Sequence, residues 1–314
     1  MSVKILILSD EKYEFQADYL IQSLMIQSGD IIPIIYYTIG FNSKLDYPNL
    51  ITKYYPKIDI YGKEFWFYKP NIILDAIDYF GGDFLFMDCD ILVGRRFNIE
   101  NFVNHNPYPL LSVYPLAYPI VFGGNISDTK IHNPTLTYIG SDGQERLAVE
   151  VDDGSLSGVP GTIIYNEAVM MTYLGVKKRT MDYVATMFIS FSENCRDLML
   201  EWLSIIENKW ILSQGKEFLP QREETALNVI LWRRGVQENY PQNFINTHRC
   251  DIVQMIEQSD DIQNYTIEGN IYQHCRDSKE VVFYHGFKDP QETQKALNFL
   301  RENKYNKNYE NKPN

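Results

Sequence analysis

The segment FLFMDCDILV, Phe84 to Val93, sets Asp88 and Asp90 on either side of Cys89 at the mouth of an apolar run. On an extended chain alternate side chains share a face, so the two carboxylates point together and the thiol points away. Two like charges so placed repel each other unless a cation lies between them. Oxygen ligands of this kind suit Mg²⁺ or Mn²⁺, which then bridges the protein to a substrate diphosphate. The plain alternative is a solvated acidic turn after a strand. Other residues with chemical potential are Asp10 and Tyr13 after the first apolar run, Lys69 ahead of a helix, and Glu223 and Glu224 at a helix start. VVFYHGFKDP adds His285 at the end of a short apolar strand, with Lys288 close behind. Each has a plain reading as well: a capped turn with Tyr13 in the core, a solvated helix-end lysine, first-turn acids stabilising a helix dipole, and a satisfied structural histidine.

Strands alternating with helices must position these groups. Val3–Leu8 is a continuous apolar run, as in a strand buried on both faces. The next segment places Phe15, Tyr19, Leu20 and Leu24 at helical spacing and stops at Gly29, and Ile31–Ile39 is β-rich again. Pro70 suits a first helical position, Ile73, Ile77 and Phe80 share a face, and Gly81-Gly82 end that helix before the strand Phe84–Met87. Further on, Val184–Phe191 reads as a strand and Ser192–Asn208 as a helix with Ser192 its N-cap and Leu198, Trp202 and Ile206 its buried stripe. Glu223–Arg234 reads as a helix ended by Gly235, and Asp289-Pro290-Gln291-Glu292 as the capped start of a last one. The pattern predicts an α/β fold with a mostly parallel, doubly wound sheet, whose ligands sit beyond the carboxyl ends of the strands. Asp10 and Asp88 fall at such ends. Residues 1–301 are expected to form one domain, with 104–161, rich in Pro and Gly, as a variable insertion or acceptor-side loop system and 302–314 as a disordered polar tail.

Composition narrows the function. The chain has 314 residues and a formal net charge of −12, which excludes a general nucleic-acid backbone binder. No apolar run approaches the roughly 20 residues of a membrane span, and the opening MSVKILILSD reads as a strand, not a leader. Four dispersed cysteines without a CxxC pair suggest a reducing, cytoplasmic setting. Tyrosine numbers 23, a content that suits stacking on sugars or bases, although bias toward Ile, Asn, Lys and Tyr explains it as well.

The apolar strand ending in DxD after a helix led by Lys69-Pro70 resembles nucleotide-sugar glycosyltransferases of the GT-A fold. It is most similar to the glycogenin and bacterial galactosyltransferase-like family. The resemblance implies a GT-A, Rossmann-like mixed sheet flanked by helices and transfer of a sugar from a UDP-sugar to a hydroxyl acceptor, a glycan. It implies that Asp10 accepts the uracil N–H and Tyr13 stacks on the base, a contact worth about 1–3 kcal/mol. Lys69 resembles the basic residue on the donor phosphates. In ETALN, Glu224 to Asn228, preceded by Glu223, the glutamates match residues beside the transferred sugar. There an acid serves as general base in inverting relatives or orients the sugar in retaining ones. His285 and Lys288 resemble a His-Gly-Lys element in which the His completes the metal site and the Lys meets phosphate, here with tighter spacing. The metal set is then Asp88, Asp90 and His285, with Mn²⁺ favoured over Mg²⁺ by the imidazole.

Two other readings compete. A strand followed by DxD also opens haloacid-dehalogenase-type phosphatases, with Asp88 as nucleophile. That motif wants Thr or Val where Leu92 stands and lies near the start of its domain. A non-catalytic carbohydrate- or nucleotide-binding protein of the same fold is the second. The sequence leaves the sugar, the acceptor, the stereochemistry and the oligomeric state open.

Overall fold

The computed structural model describes residues 3–27, 32–59, 65–94, 99–113, 131–139, 145–151, 174–176, 184–209, 211, 223–236, 283–285 and 289–306. Its strands are β1 Lys4–Asp10, β2 Ile34–Ile39, β3 Leu50–Tyr55, β4 Phe84–Met87, β5 Ile91–Val93, β6 Leu110–Val113, β7 Ile131–Ile139, β8 Glu145–Val151, β9 Val184–Phe191 and β10 Phe283–His285. Its α-helices are α1 Glu14–Gln27, α2 Lys69–Phe80, α3 Arg196–Ile206, α4 Glu223–Arg233 and α5 Pro290–Asn306. A six-stranded sheet runs in the order β3-β2-β1-β4-β9-β6, and β5-β10 and β7-β8 form two-stranded sheets. The result is the mixed, mostly parallel sheet flanked by helices that the pattern predicts. Among the described residues no helix is long and apolar enough to cross a membrane.

The chain divides into two compact units. The first comprises Met1–Lys57, Gly82–Val103 and Thr247–Asn314. Here β1 lies parallel to both β2 and β4, and β2 parallel to β3. Every residue of β2 and β4 is buried, as the apolar runs require of strands covered on both faces. β3 instead has only exposed and half-buried residues, the mark of a less covered strand. α1 packs on β1, β5 and α5. Its buried face is Gln16, Ala17, Leu20, Ile21, Ser23 and Leu24, while Phe15 and Tyr19 are only half-buried. Of the expected stripe, Leu20 and Leu24 are thus buried, and Phe15 and Tyr19 lie at its half-buried edge. Ser23 explains why a polar residue goes inside: its hydroxyl donates to Leu20 O at 2.8 Å and accepts the Val93 amide of β5 at 2.9 Å. α5 starts as predicted, with Asp289 Oδ1 accepting the Gln291 amide at 2.8 Å. It continues to Asn306, so the last helix reaches into the stretch expected to be a frayed tail.

The second unit comprises Ile58–Gly81 and Asn104–Asn246. β6 pairs antiparallel with β9, and β7 with β8. The β7–β8 pair is a hairpin within the span expected to be an insertion. α2 packs on α3, α3 on α4, and α4 on β9. α2 has Pro70 in its first turn and ends at Gly81, whose φ of 58° suits glycine. Ser192 accepts the Asn194 amide at 3.3 Å ahead of α3, and Leu198, Trp202 and Ile206 are fully buried. α4 ends in a Schellman turn: Gly235, at φ 71°, donates its amide to Trp232 O, and Val236 donates to Leu231 O.

Candidate functional site

In the first unit β1 is central: β2 and β3 succeed it on one side, and β4 lies on the other. The strand order reverses between β1 and β4, and in such parallel sheets that switch point opens a crevice beyond the carboxyl ends. Asp10 is the last residue of β1, and Asp88 follows the last residue of β4.

Asp10 caps a single 3-10 turn, Glu11–Tyr13, by accepting the Tyr13 amide on Oδ1 at 3.2 Å. Tyr13 is half-buried, and Lys12 donates to its hydroxyl at 3.1 Å with Nζ 4.7 Å from the ring centroid. The capped turn and a partly accessible ring therefore coexist.

After β4 the chain turns instead of running on extended, and the Ile91 amide donates to Asp88 O at 3.3 Å. Asp88 and Asp90 are half-buried while Cys89 is buried. Cys89 Sγ donates to Gln16 Oε1 at 3.5 Å. Burial pushes the Cys89 thiol well up, and the charges of Asp90, Asp88 and Asp10 push the same way. Three carboxylates thus act on one buried sulfur. Ser9 Oγ, next to Asp10 in β1, and Tyr36 Oη are 2.5 Å apart and fully buried, and burial raises the Tyr36 phenol.

β5 follows Asp90 directly and pairs antiparallel with β10, placing His285 opposite Ile91. The backbone register therefore brings His285 alongside the residue next to Asp90. Lys288 lies outside the described residues, and so does Gly29. Among the residues whose side chains are described, no group of three or more His, Cys, Asp or Glu is gathered to hold a metal. The donor chemistry nevertheless fits a divalent cation: two half-buried carboxylates, with an imidazole-bearing residue adjacent in register.

The remaining predicted residues come together in the second unit. Lys69, in the first turn of α2, is 4% exposed and sits 3.2 Å from Glu223 Oε1. Lys69 Nζ also donates to Thr186 O at 3.3 Å and Thr186 Oγ1 at 3.2 Å. An ammonium has three donors, and this geometry offers three acceptors for them. Contact between Lys69 and donor phosphates requires those bonds to open. Glu224 Oε2 accepts the Thr186 amide at 2.9 Å. Trp202 Nε1 donates to Glu223 O at 2.7 Å, fixing the helix start. Asn228 behaves like one more strand residue. Its Oδ1 accepts the Val184 amide, its Nδ2 donates to Val184 O, both at 2.8 Å, and Nδ2 also reaches Glu224 O.

Sequence reading misses Thr186 and the side-chain role of Asn228. Thr186 sits within an apolar strand and carries no motif signal. Asn228 lies in the ETALN segment, but its partner is distant in the chain.

No family model matches this chain, and no curated protein does. Among solved structures it is similar to one of the bifunctional glycosyltransferase WbbM in its apo form, at 10% identity and a TM-score of 0.48. That likeness covers 97% of this chain and 51% of the other, so the chain spans about half the length of that protein.

Proposed function

We propose that this protein is a metal-dependent glycosyltransferase that moves a sugar from a nucleotide-sugar, a UDP-sugar, to a hydroxyl acceptor on a glycan. The observation that carries the reading is the placement of Asp10, Asp88 and Asp90 at the carboxyl ends of β1 and β4, where the strand order reverses. An acidic crevice repels a diphosphate unless a cation stands between them. Asp88, Asp90 and His285 are the residues proposed to hold Mn²⁺, or Mg²⁺ in its place. Such an ion supplies neutralisation of a leaving diphosphate.

This chain's own residues do the rest. Asp10 and Tyr13 hold the base, the carboxylate accepting an N–H and the half-buried ring stacking. Gln16 and the buried Ser9–Tyr36 pair fix the floor beneath them. For Glu223 and Glu224, a place beside the sugar rests on the resemblance of their segment alone. Lys69 positions Glu223 through the ion pair, and phosphate contact is assigned to Lys288 on resemblance alone.

The test is thermal stabilisation by UDP and by GDP, each with and without Mn²⁺, on the wild type and Asp90→Asn. A ligand at one hundred times its Kd adds about 2.7 kcal/mol, an easily visible shift. The expected result is a Mn²⁺-dependent UDP shift that the variant loses while keeping its own melting transition. No shift with either nucleotide sinks the proposal.

A further inference from the structure

In the first unit the chain leaving β1 and the chain leaving β2 meet again at one side chain of α1. Asp10 and Ile39, the last residues of the two strands, lie in register. Beyond Asp10 the 3-10 turn Glu11–Tyr13 runs straight into α1 at Glu14. Beyond Ile39, Gly40 bends the chain at φ 72° and donates its amide to Tyr55 O of β3 at 2.8 Å. The loop that follows returns to the same helix. Glu14 Oε1 accepts the Ser43 hydroxyl at 2.5 Å and the Lys44 amide at 3.3 Å. Ser43 Oγ in turn accepts the Leu45 amide at 3.0 Å. One turn further along α1, Asp18 accepts the Tyr47 hydroxyl.

Asp10, the 3-10 turn, Glu14, Ser43, Gly40 and Ile39 therefore close a ring whose base is the β1–β2 ladder. Burial raises the Tyr36 phenol first, and the charges of Glu14 and Asp10 add to it, so both carboxylates lie within electrostatic reach of one buried hydroxyl. A 3-10 turn of three residues has poor hydrogen-bond geometry and little stability of its own. Its shape is set by what holds its two ends. At one end Asp10 Oδ1 accepts the Tyr13 amide at 3.2 Å, and at the other stands the latched Glu14. Tyr13 lies between these anchors. A carboxylate has about four acceptor sites, so capping the turn leaves Asp10 able to accept one N–H more.

We infer that Glu14 is a positioning residue for base recognition: by latching the Ser43–Lys44 segment to α1, it fixes the Tyr13 ring and the Asp10 carboxylate for a nucleoside base. The inference deepens the transferase reading and rests on its assignment of Asp10 and Tyr13 to the base. Glu14 acts through its neighbours and need not touch the ligand. With the latch open the turn samples other shapes, and a site competent for one tenth of the time binds about tenfold more weakly. The residues proposed for metal and diphosphate follow β4 and end β10, on the far side of β1 from β2 and outside the ring. The loss therefore falls on the base alone.

The experiment measures Kd for UDP and for inorganic pyrophosphate, both with Mn²⁺, alongside melting curves, on the wild type, Glu14→Ala, Glu14→Gln and Ser43→Ala. Glu14→Ala is expected to weaken UDP about tenfold and to leave pyrophosphate unchanged. Glu14→Gln keeps an acceptor oxygen at the same reach and is expected to restore most of the UDP affinity. Ser43→Ala removes one of the two latch bonds and is expected to show the same selective loss in smaller measure. That variant carries the test if Glu14→Ala lacks a cooperative melting transition. UDP affinity unchanged in both alanine variants overturns the inference. So does pyrophosphate weakening in step with UDP, which marks a merely structural role, and so does a Gln variant as weak as the Ala one. A wild type that binds pyrophosphate but not UDP, or neither, removes the base assignment itself and the role of Glu14 with it, and that failure shows before any variant is made.

Discussion

Lys69→Met is the most informative single change, because the lysine is buried and its ion pair is defined. The substitution keeps the chain length and removes one charge. It strips Glu223 of its 3.2 Å partner and Thr186 of two donated bonds. Breaking a buried pair from one side costs about 3–5 kcal/mol, since the carboxylate loses its contact cation while staying buried. A proton limits that cost. Protonating a glutamate of ordinary pKa, about 4.3, at pH 7 takes roughly 3.7 kcal/mol, at about 1.36 kcal/mol per unit. The expected loss is therefore about 3–4 kcal/mol at pH 7, falling to about 1 kcal/mol at pH 5. In the melting curve this is a Tm drop of order 10 °C at pH 7 that narrows steadily toward acid. Urea melts of both proteins at pH 5, 6, 7 and 8 measure it. A loss below about 1 kcal/mol at pH 7, or a loss that does not vary with pH, refutes the argument. Lys69 would then be an accessible helix-end lysine, free to meet donor phosphates.

Three further outcomes follow from the same contacts. Asn228→Ala removes both bonds to Val184 and one to Glu224 O, leaving a buried strand end without its partner. At about 1 kcal/mol per bond plus desolvation of the stranded groups, the loss in a urea melt is about 3–5 kcal/mol. Gly235→Ala forces a side chain to φ 71° with no atom of a described residue within 4 Å of the new Cβ, so the cost expected is that of backbone strain. That cost is about 1–2 kcal/mol by the same measurement, and a larger one points to a contact beyond the turn. Asp289→Ala removes the cap of the Gln291 amide. It should cost about 1 kcal/mol, whereas Asp289→Asn should restore most of it.

Much of the architecture was legible in the chain because short-range physics sets it. The apolar runs at Phe84–Met87 and Val184–Phe191 coincide with β4 and β9 residue for residue. Asp289 caps the helix that it was expected to cap, and Ser192 caps a 3-10 turn, Glu193–Cys195, that leads into α3, since the bond each makes spans two residues. Gly81 and Gly235 end their helices because they alone tolerate a positive φ there. The same local logic failed where distant partners decided. In α1 the expected Leu20 and Leu24 are buried, but Phe15 and Tyr19 are only half-buried, and Ser23 lies inside, where it meets the amide of Val93, 70 residues away. The extended geometry expected around Asp88 gave way to a turn because β5 leaves the main sheet to pair with β10.

The sequence by itself determined the kinds of groups available and the ends of strands and helices on which they sit, since hydrophobic period and capping act over a few residues. Tertiary structure decided which of them meet. It brought Asp10, Asp88 and Asp90 within electrostatic reach of the buried thiol of Cys89, and it paired His285 with Ile91, the residue after Asp90. It also joined Lys69 to a glutamate 154 positions further along the chain, beside a threonine that bonds both and that no motif marked. Charge balance inside a dry site depends on distances between such remote residues, and no local pattern encodes those.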